Sequence, residues 1–196
     1  MKILKITKNN FKKIVKTAER LIKEGKVIIC PTDTVYGLIC DATNKKAVEK
    51  IFKIKKRDYK KAVPIFVKDI KSAKKLAVID KKQEKFLKKV WPGKTTAVLE
   101  RRKGIKIYGV DKNTIALRVP NYKLIRHLLL AVNVPFTGTS ANISGKTAST
   151  KIKEAANQFK NQKHQPDLII SAGNLPKSKP SKVLDLTIFP PKILRV

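Results

Sequence analysis

The chain has 196 residues, 42% of them hydrophobic, and a formal net charge of +32. The hydrophobic content excludes a disordered chain, and the length allows one large or two small domains. No apolar run reaches the roughly 18 residues that a membrane helix needs. The charge favours a polyanionic partner such as RNA or a nucleotide, although lysines spread over nearly every polar face are also what a lysine-biased composition produces.

The predicted elements alternate irregularly between strands and helices. The first helix has apolar residues at Phe11, Ile14, Ala18 and Ile22 and ends at Gly25. Further helices are predicted at 44–56, 69–77, 81–90, 121–131 and 151–160, and strands at 3–7, 26–30, 35–40, 62–67, 95–100, 114–120, 134–142 (running into a loop), 167–173, 182–187 and 192–196. This order predicts a single α/β domain over 1–196, with a mixed β-sheet and helices packed on it.

The charged N-terminal segment lacks a signal-peptide cleavage site, which predicts a cytoplasmic protein. Cys30 and Cys40 have no further ligands near them in the sequence and are expected to be reduced core thiols. His127 and His164 lie far apart without companions, so no metal site is predicted, and each is expected at the surface or in helix packing.

Several kinds of catalytic site are missing. The sequence has no GxGxxG, Walker A, HExxH or nucleophile-elbow motif, and its 14 acidic residues form no evident pair. An enzyme built from this chain would act by positioning and charge stabilisation. Polar residues near predicted strand ends are of the types that bind phosphate and carboxylate groups: Thr34, Lys55, Arg57, Lys61, Thr114, Arg118, Ser140, Asn142, Thr150, Ser181 and Arg195.

Arginine is a second indicator, because only seven of the 46 basic residues are arginines. A planar guanidinium group grips carboxylate or phosphate in a way that lysine cannot copy. The seven arginines are therefore candidate positions for anion binding.

Six motifs occur in one order: PTDTVYGL (31–38), KKR (55–57), WPG (91–93), LRVPN (117–121), TSANISG (139–145), and a late Ser-x-Val before a terminal Leu-Arg. Together they resemble the YrdC/TsaC family of L-threonylcarbamoyl-AMP synthases, in its short single-domain form. The resemblance implies a twisted mixed sheet around a concave basic cavity. It also implies synthesis of threonylcarbamoyl-AMP from L-threonine, bicarbonate and ATP, with Mg²⁺ accompanying ATP and pyrophosphate released. A partner threonylcarbamoyl-transferase would then modify tRNA beside the anticodon.

The resemblance also implies roles for individual residues. Thr34, Arg118 and Ser181 correspond to threonine contacts, and Lys55 and Arg57 to catalytic basic residues at the phosphates. ATP contacts correspond to Arg57, Lys61, Thr114, Ser140, Asn142, Thr150 and Arg195. Trp91 is expected to be a core anchor. Asp33 is left open between a turn cap and a contact to magnesium or the substrate amine.

Three alternatives remain at this point. One is a paralogue of the YciO type, which departures such as Asp58 and Phe66 keep open. Another is an RNA-binding module of the same fold, with direct RNA binding through the positive charge. The last is a domain serving a carbamoyltransferase, which the lack of acylphosphatase and zinc-finger segments disfavours.

Overall fold

Two mixed β-sheets frame the protein in a computed structural model that describes residues 1–196. The strands are β1 (Lys2–Lys5), β2 (Ile28–Cys30), β3 (Gly37–Ile39), β4 (Ile65–Phe66), β5 (Thr95–Glu100), β6 (Thr114–Arg118), β7 (Phe136–Thr137), β8 (Thr139–Ser140), β9 (Leu168–Ser171), β10 (Lys182–Asp185) and β11 (Lys192–Arg195). One sheet has the order β1-β9-β2-β3-β8, and the other β11-β10-β5-β6-β4-β7. Both contain parallel and antiparallel pairs.

Six helices cover these sheets: α1 (Phe11–Lys23), α2 (Lys45–Lys55), α3 (Ile70–Leu76), α4 (Lys81–Val90), α5 (Lys123–Val132) and α6 (Ile152–Asn157). Helices α2 and α6 share one apolar cluster with the first sheet. Helices α3 and α4 share another with the second sheet. A third cluster joins α1 and α5 to residues of both sheets, such as Ile28 and Phe136, so apolar burial holds the two sheets together.

The ends of α2 place one of the candidate site residues. The side chain of Asn44 accepts a hydrogen bond from the backbone of Ala47 and caps the start of the helix. At the other end Lys56 has a φ of 50°, a left-handed conformation that stops the helix. Arg57 therefore lies in the loop that follows the helix.

The predicted order of helices and strands is confirmed except at 134–142, where one predicted strand is divided into β7 and β8, and the mixed sheet is divided into two. The chain crosses from the second sheet to the first at Gly138, between β7 and β8. Its backbone N–H donates to the carbonyl oxygen of Pro64 at 2.7 Å. A Cβ atom here would overlap the ring of Phe66, so a larger residue fits the crossing only if that ring moves.

Several expectations for single residues are met. Cys30 and Cys40 are buried free thiols, and burial raises the pKa of each. Trp91 is buried, and its indole N–H donates to the carbonyl oxygen of Thr95 at 2.7 Å. The ring of His127 packs edge-on against Phe11. None of the helices combines the length and the apolar character needed to cross a bilayer.

Candidate active site

A cavity of about 110 Å³ opens between the two sheets. The first sheet and the β2–β3 loop supply one wall, β4, β6 and the C-terminal strands supply the other, and the loop after α2 closes the edge. Its lining consists of Thr32, Thr34, Val35, Gly37, Arg57, Pro64, Phe66, Arg118, Gly138, Thr139, Ser140, Pro180, Ser181 and Arg195. Six of the predicted site residues are thus brought together: Thr34, Arg57, Arg118, Ser140, Ser181 and Arg195.

Arg118 is the most deeply buried of the three arginines in the cavity, with 3% of its surface exposed. Its Nε donates to the carbonyl oxygen of Gly93 at 2.9 Å, and its Nη2 donates to Oδ1 of Asp33 at 2.6 Å. Nη1 has a long contact of 3.4 Å with the hydroxyl of Thr34. The Phe66 ring lies 5.6 Å from the guanidinium carbon. Burial lowers the pKa of Arg118, and the charge of Asp33 opposes that effect.

The other two arginines are anchored on backbone carbonyl groups and have no carboxylate partner. Arg57 donates from Nε to the carbonyl oxygen of Lys61 at 2.7 Å and from Nη2 to that of Ala62 at 2.8 Å. Arg195 donates from Nε and Nη2 to the carbonyl oxygen of Ser181 at 3.1 and 2.7 Å. In both residues Nη1 makes no hydrogen bond within the protein. The fold therefore orients each guanidinium group by one edge and leaves Nη1 for a ligand.

Hydroxyl groups line the space between these arginines. Those of Thr32 and Thr34 lie 3.0 Å apart in the β2–β3 loop, where Thr32 also donates to the carbonyl oxygen of Val35. The hydroxyl of Ser140 donates to Oδ1 of Asn142 at 2.6 Å. That of Ser181 lies 2.9 Å from the hydroxyl of Thr96 on β5. The cavity combines three cations with small groups that both donate and accept hydrogen bonds, which suits anionic oxygens.

Lys55 lies behind the cavity wall, with 2% of its surface exposed. Its ammonium group donates to the carbonyl oxygens of Ser140 and Asn142 at 2.6 and 2.7 Å, and to Oδ1 of Asn142 at 3.2 Å. Burial, with a contribution from Arg57, lowers the pKa of Lys55 to about 7. The geometry makes Lys55 and Asn142 supports of the β8 segment, and their direct contacts with ATP stay predictions.

The remaining candidates lie outside the cavity lining. Lys61 contributes its carbonyl oxygen to Arg57. Thr114 starts β6 at the end opposite to Arg118, where its backbone N–H donates to the carboxylate of Asp111. Thr150 receives a backbone hydrogen bond from Leu175. Their predicted ATP contacts also remain predictions.

Two residues that matter for the site were not assigned a role from the sequence. Asp33 accepts from Arg118 through one oxygen and from the backbone N–H of Asn121 through the other, so it is the partner of Arg118. Thr96 holds Ser181 and lies outside the motifs. Its only sequence signal is a threonine directly before the apolar residues Ala97, Val98 and Leu99 of β5.

The chain contains no group of three or more His, Cys, Asp or Glu side chains arranged to hold a metal ion. No carboxylate is among the residues that line the cavity. Because hard cations such as Mg²⁺ prefer oxygen ligands, the residues present fit a Mg²⁺ ion that arrives on phosphate oxygens better than one held by the protein alone.

Comparison with known proteins decides the family. The model of the Sua5/YciO/YrdC family, which carries the description "Telomere recombination", matches residues 20–196. The chain belongs to this family. A Methanocaldococcus jannaschii protein provisionally named threonylcarbamoyl-AMP synthase is 36% identical over 186 residues, covering 95% of this chain and 86% of the relative.

Solved structures of the Sua5/YciO/YrdC family have the same fold. Sua5 of Pyrococcus abyssi complexed with L-threonine is similar with a TM-score of 0.87 and 31% identity, over 99% of this chain and 56% of that one. YciO of E. coli is similar with a TM-score of 0.84 and 26% identity, over 99% and 93% of the two chains. The predicted family and fold class are confirmed.

Proposed function

We propose that this protein joins L-threonine, bicarbonate and ATP into threonylcarbamoyl-AMP and releases pyrophosphate. The observation that carries this function is the chemistry of the cavity, where three arginines anchored on the protein surround hydroxyl groups. The relatives named threonylcarbamoyl-AMP synthase and the L-threonine complex of P. abyssi Sua5 support the choice of substrates.

Arg118, Thr34 and Ser181 are proposed to bind L-threonine. Nη1 of Arg118 lies 3.4 Å from the hydroxyl of Thr34, so a carboxylate at this point would accept from Nη1, and from Thr34 once its hydroxyl turns away from Thr32. Ser181 stands across the cavity on the Arg195 side. Its hydroxyl has neighbours in Thr96 and Arg195 and is thereby oriented.

Arg57 and Arg195 are proposed to bind the phosphates of ATP. Neither forms an ion pair with a carboxylate of the chain, and each keeps Nη1 free of protein hydrogen bonds. Their charge would stabilise the negative charge that builds up on pyrophosphate as it leaves. Mg²⁺ would enter with ATP and supply further charge neutralisation at the phosphate oxygens.

The proposed reaction takes place between substrates that the cavity holds next to each other. Bicarbonate loses hydroxide and yields carbon dioxide, and the ammonium group of threonine gives one proton to that hydroxide, forming water. The nitrogen then bonds to carbon dioxide and releases a second proton to solvent, which gives a carbamate. A carbamate oxygen attacks the α-phosphorus of ATP, and the bond between that phosphorus and the bridging oxygen to the β-phosphate breaks. The protein's share is orientation and exclusion of water, because both the carbamate and the product hydrolyse readily. A separate transferase would pass the threonylcarbamoyl group to tRNA.

The test is to incubate the purified protein with L-threonine, bicarbonate and MgATP and to measure threonylcarbamoyl-AMP by mass. We expect product only when all three substrates are present. If no product forms and RNA binds tightly in a salt-sensitive manner, an RNA-binding module replaces the synthase. If neither is seen, a role of the YciO kind is favoured, consistent with the similarity to E. coli YciO.

A further inference from the structure

The Arg118–Asp33 pair makes one of the three arginines electrically different from the others. The side chains of Arg118 and Asp33 are 4% and 10% exposed, and the atoms Nη2 and Oδ1 lie 2.6 Å apart. Arg57 and Arg195 are anchored on neutral carbonyl oxygens instead. The cavity therefore has two uncompensated positive charges and one that a carboxylate neutralises.

Asp33 is fixed in this position from two sides. Its Oδ2 accepts from the backbone N–H of Asn121 at 3.1 Å, just beyond the end of β6, which carries Arg118. Asp33 itself is not among the cavity-lining residues, and its carboxylate meets the cavity through Nη2 of Arg118. A ligand would touch Arg118 and still feel the charge of Asp33.

We propose that Asp33 is a specificity-determining residue that reserves Arg118 for the amino acid and directs phosphate groups to Arg57 and Arg195. An amino-acid zwitterion has no net charge, so the negative charge of Asp33 repels the molecule little. Nη1 of Arg118 can still donate to the carboxylate of the amino acid. A pyrophosphate or triphosphate group carries several negative charges, and Asp33 cancels much of the attraction that Arg118 would exert on it. The inference rests on the proposed function, because it assumes that one cavity must sort these two kinds of anion.

The experiment compares wild type with Asp33→Asn by calorimetric titration with inorganic pyrophosphate, and then with L-threonine at a fixed pyrophosphate concentration. We expect Asp33→Asn to bind pyrophosphate about tenfold more tightly or better, because a unit charge close to the ligand is removed. Pyrophosphate should also raise the apparent Kd of L-threonine in this variant far more than in wild type.

Two further variants separate charge from fold. Asp80→Asn removes the same charge at the N-cap of α4, away from the cavity, where asparagine caps equally well, and should behave as wild type. Asp33→Glu keeps the charge but moves it, and should retain weak pyrophosphate binding. Equal pyrophosphate affinity in Asp33→Asn and wild type, or strengthened binding in Asp33→Glu, would overturn the proposal.

The titrations also distinguish this inference from the proposed function. Wild-type protein that fails to bind L-threonine contradicts the synthase assignment. The pyrophosphate affinities of wild type, Asp33→Asn and Asp33→Glu still decide whether Asp33 controls access of phosphate to Arg118.

Discussion

The ammonium group of Lys55 donates to the backbone carbonyl oxygen of Asn142 at 2.7 Å from inside the protein. Burial lowers its pKa to about 7 from an ordinary value of 10.5. Between these pH values the unfolded chain binds more protons than the folded one, so the free energy of unfolding rises with pH from about 7 to about 10.5. Below this window both states are protonated, and Lys55 adds no pH dependence.

We expect Lys55→Met to remove this rise. The measurement is the urea unfolding midpoint from pH 7 to 10 for wild type, Lys55→Met and Lys53→Met, whose lysine is exposed on the same helix. If the unfolding midpoints of wild type and Lys55→Met differ by the same amount at every pH, the lowered pKa of Lys55 is contradicted.

Replacing Arg118 by lysine should weaken threonine binding selectively. A lysine has no planar fork with which to reach Gly93, Asp33 and Thr34 at the same time. Loss of charged hydrogen bonds of this kind predicts a rise in KM for threonine of roughly 10- to 100-fold, with KM for ATP little changed. Steady-state pyrophosphate release measures both constants. Arg126→Lys, an exposed change on α5, is the control, and an equal effect on both constants would reject the assignment.

The same exchange at Arg57 should have the opposite selectivity. Its two backbone hydrogen bonds orient the guanidinium group toward the cavity, and a lysine side chain would lose that orientation. We expect KM for ATP to rise at least about tenfold while KM for threonine stays near the wild-type value. A rise in the threonine constant alone would place Arg57 on the amino-acid side.

Gly138→Ala should destabilise the crossing between the sheets. The new methyl group would overlap the ring of Phe66, and overpacking of this kind costs about 1–3 kcal/mol. Phe66→Leu in the same chain removes part of the ring and should recover some of that loss. Unfolding free energies of the two single variants and the double variant form a double-mutant cycle, in which simple additivity would contradict the overlap.

The sequence predicted which residues line the cavity better than it predicted the contacts that hold those residues in place. Three of the seven arginines, Arg57, Arg118 and Arg195, line the cavity, as expected of side chains that combine a permanent charge with a planar fork of donors. Helical spacing from Val48 and Ile51 sets Lys55 on the apolar side of its helix. The contacts of its ammonium group could not be foreseen, since the acceptors lie 85 to 87 positions further along the chain.

The division of the strands into two sheets could not be predicted from the sequence either. Local patterns predict strands but not which distant strand each one pairs with. The partners of β4, for example, are β6 and β7, both far along the chain, and its two residues Ile65 and Phe66 carry no periodicity of their own. The link between Asp33 and Arg118 depends on the same long-range geometry.

Because the cavity lies between the two sheets, ligand binding there should raise the stability of the folded protein. A ligand that touches Thr34 on one side and Arg118 or Arg195 on the other fastens the sheets to each other, in parallel with the apolar cluster of α1 and α5. At 100 times its Kd such a ligand adds about 2.7 kcal/mol to the unfolding free energy. A thermal melt with each candidate substrate in turn would show which molecules bind the folded protein, and loss of the shift in Arg118→Lys would place them in the cavity.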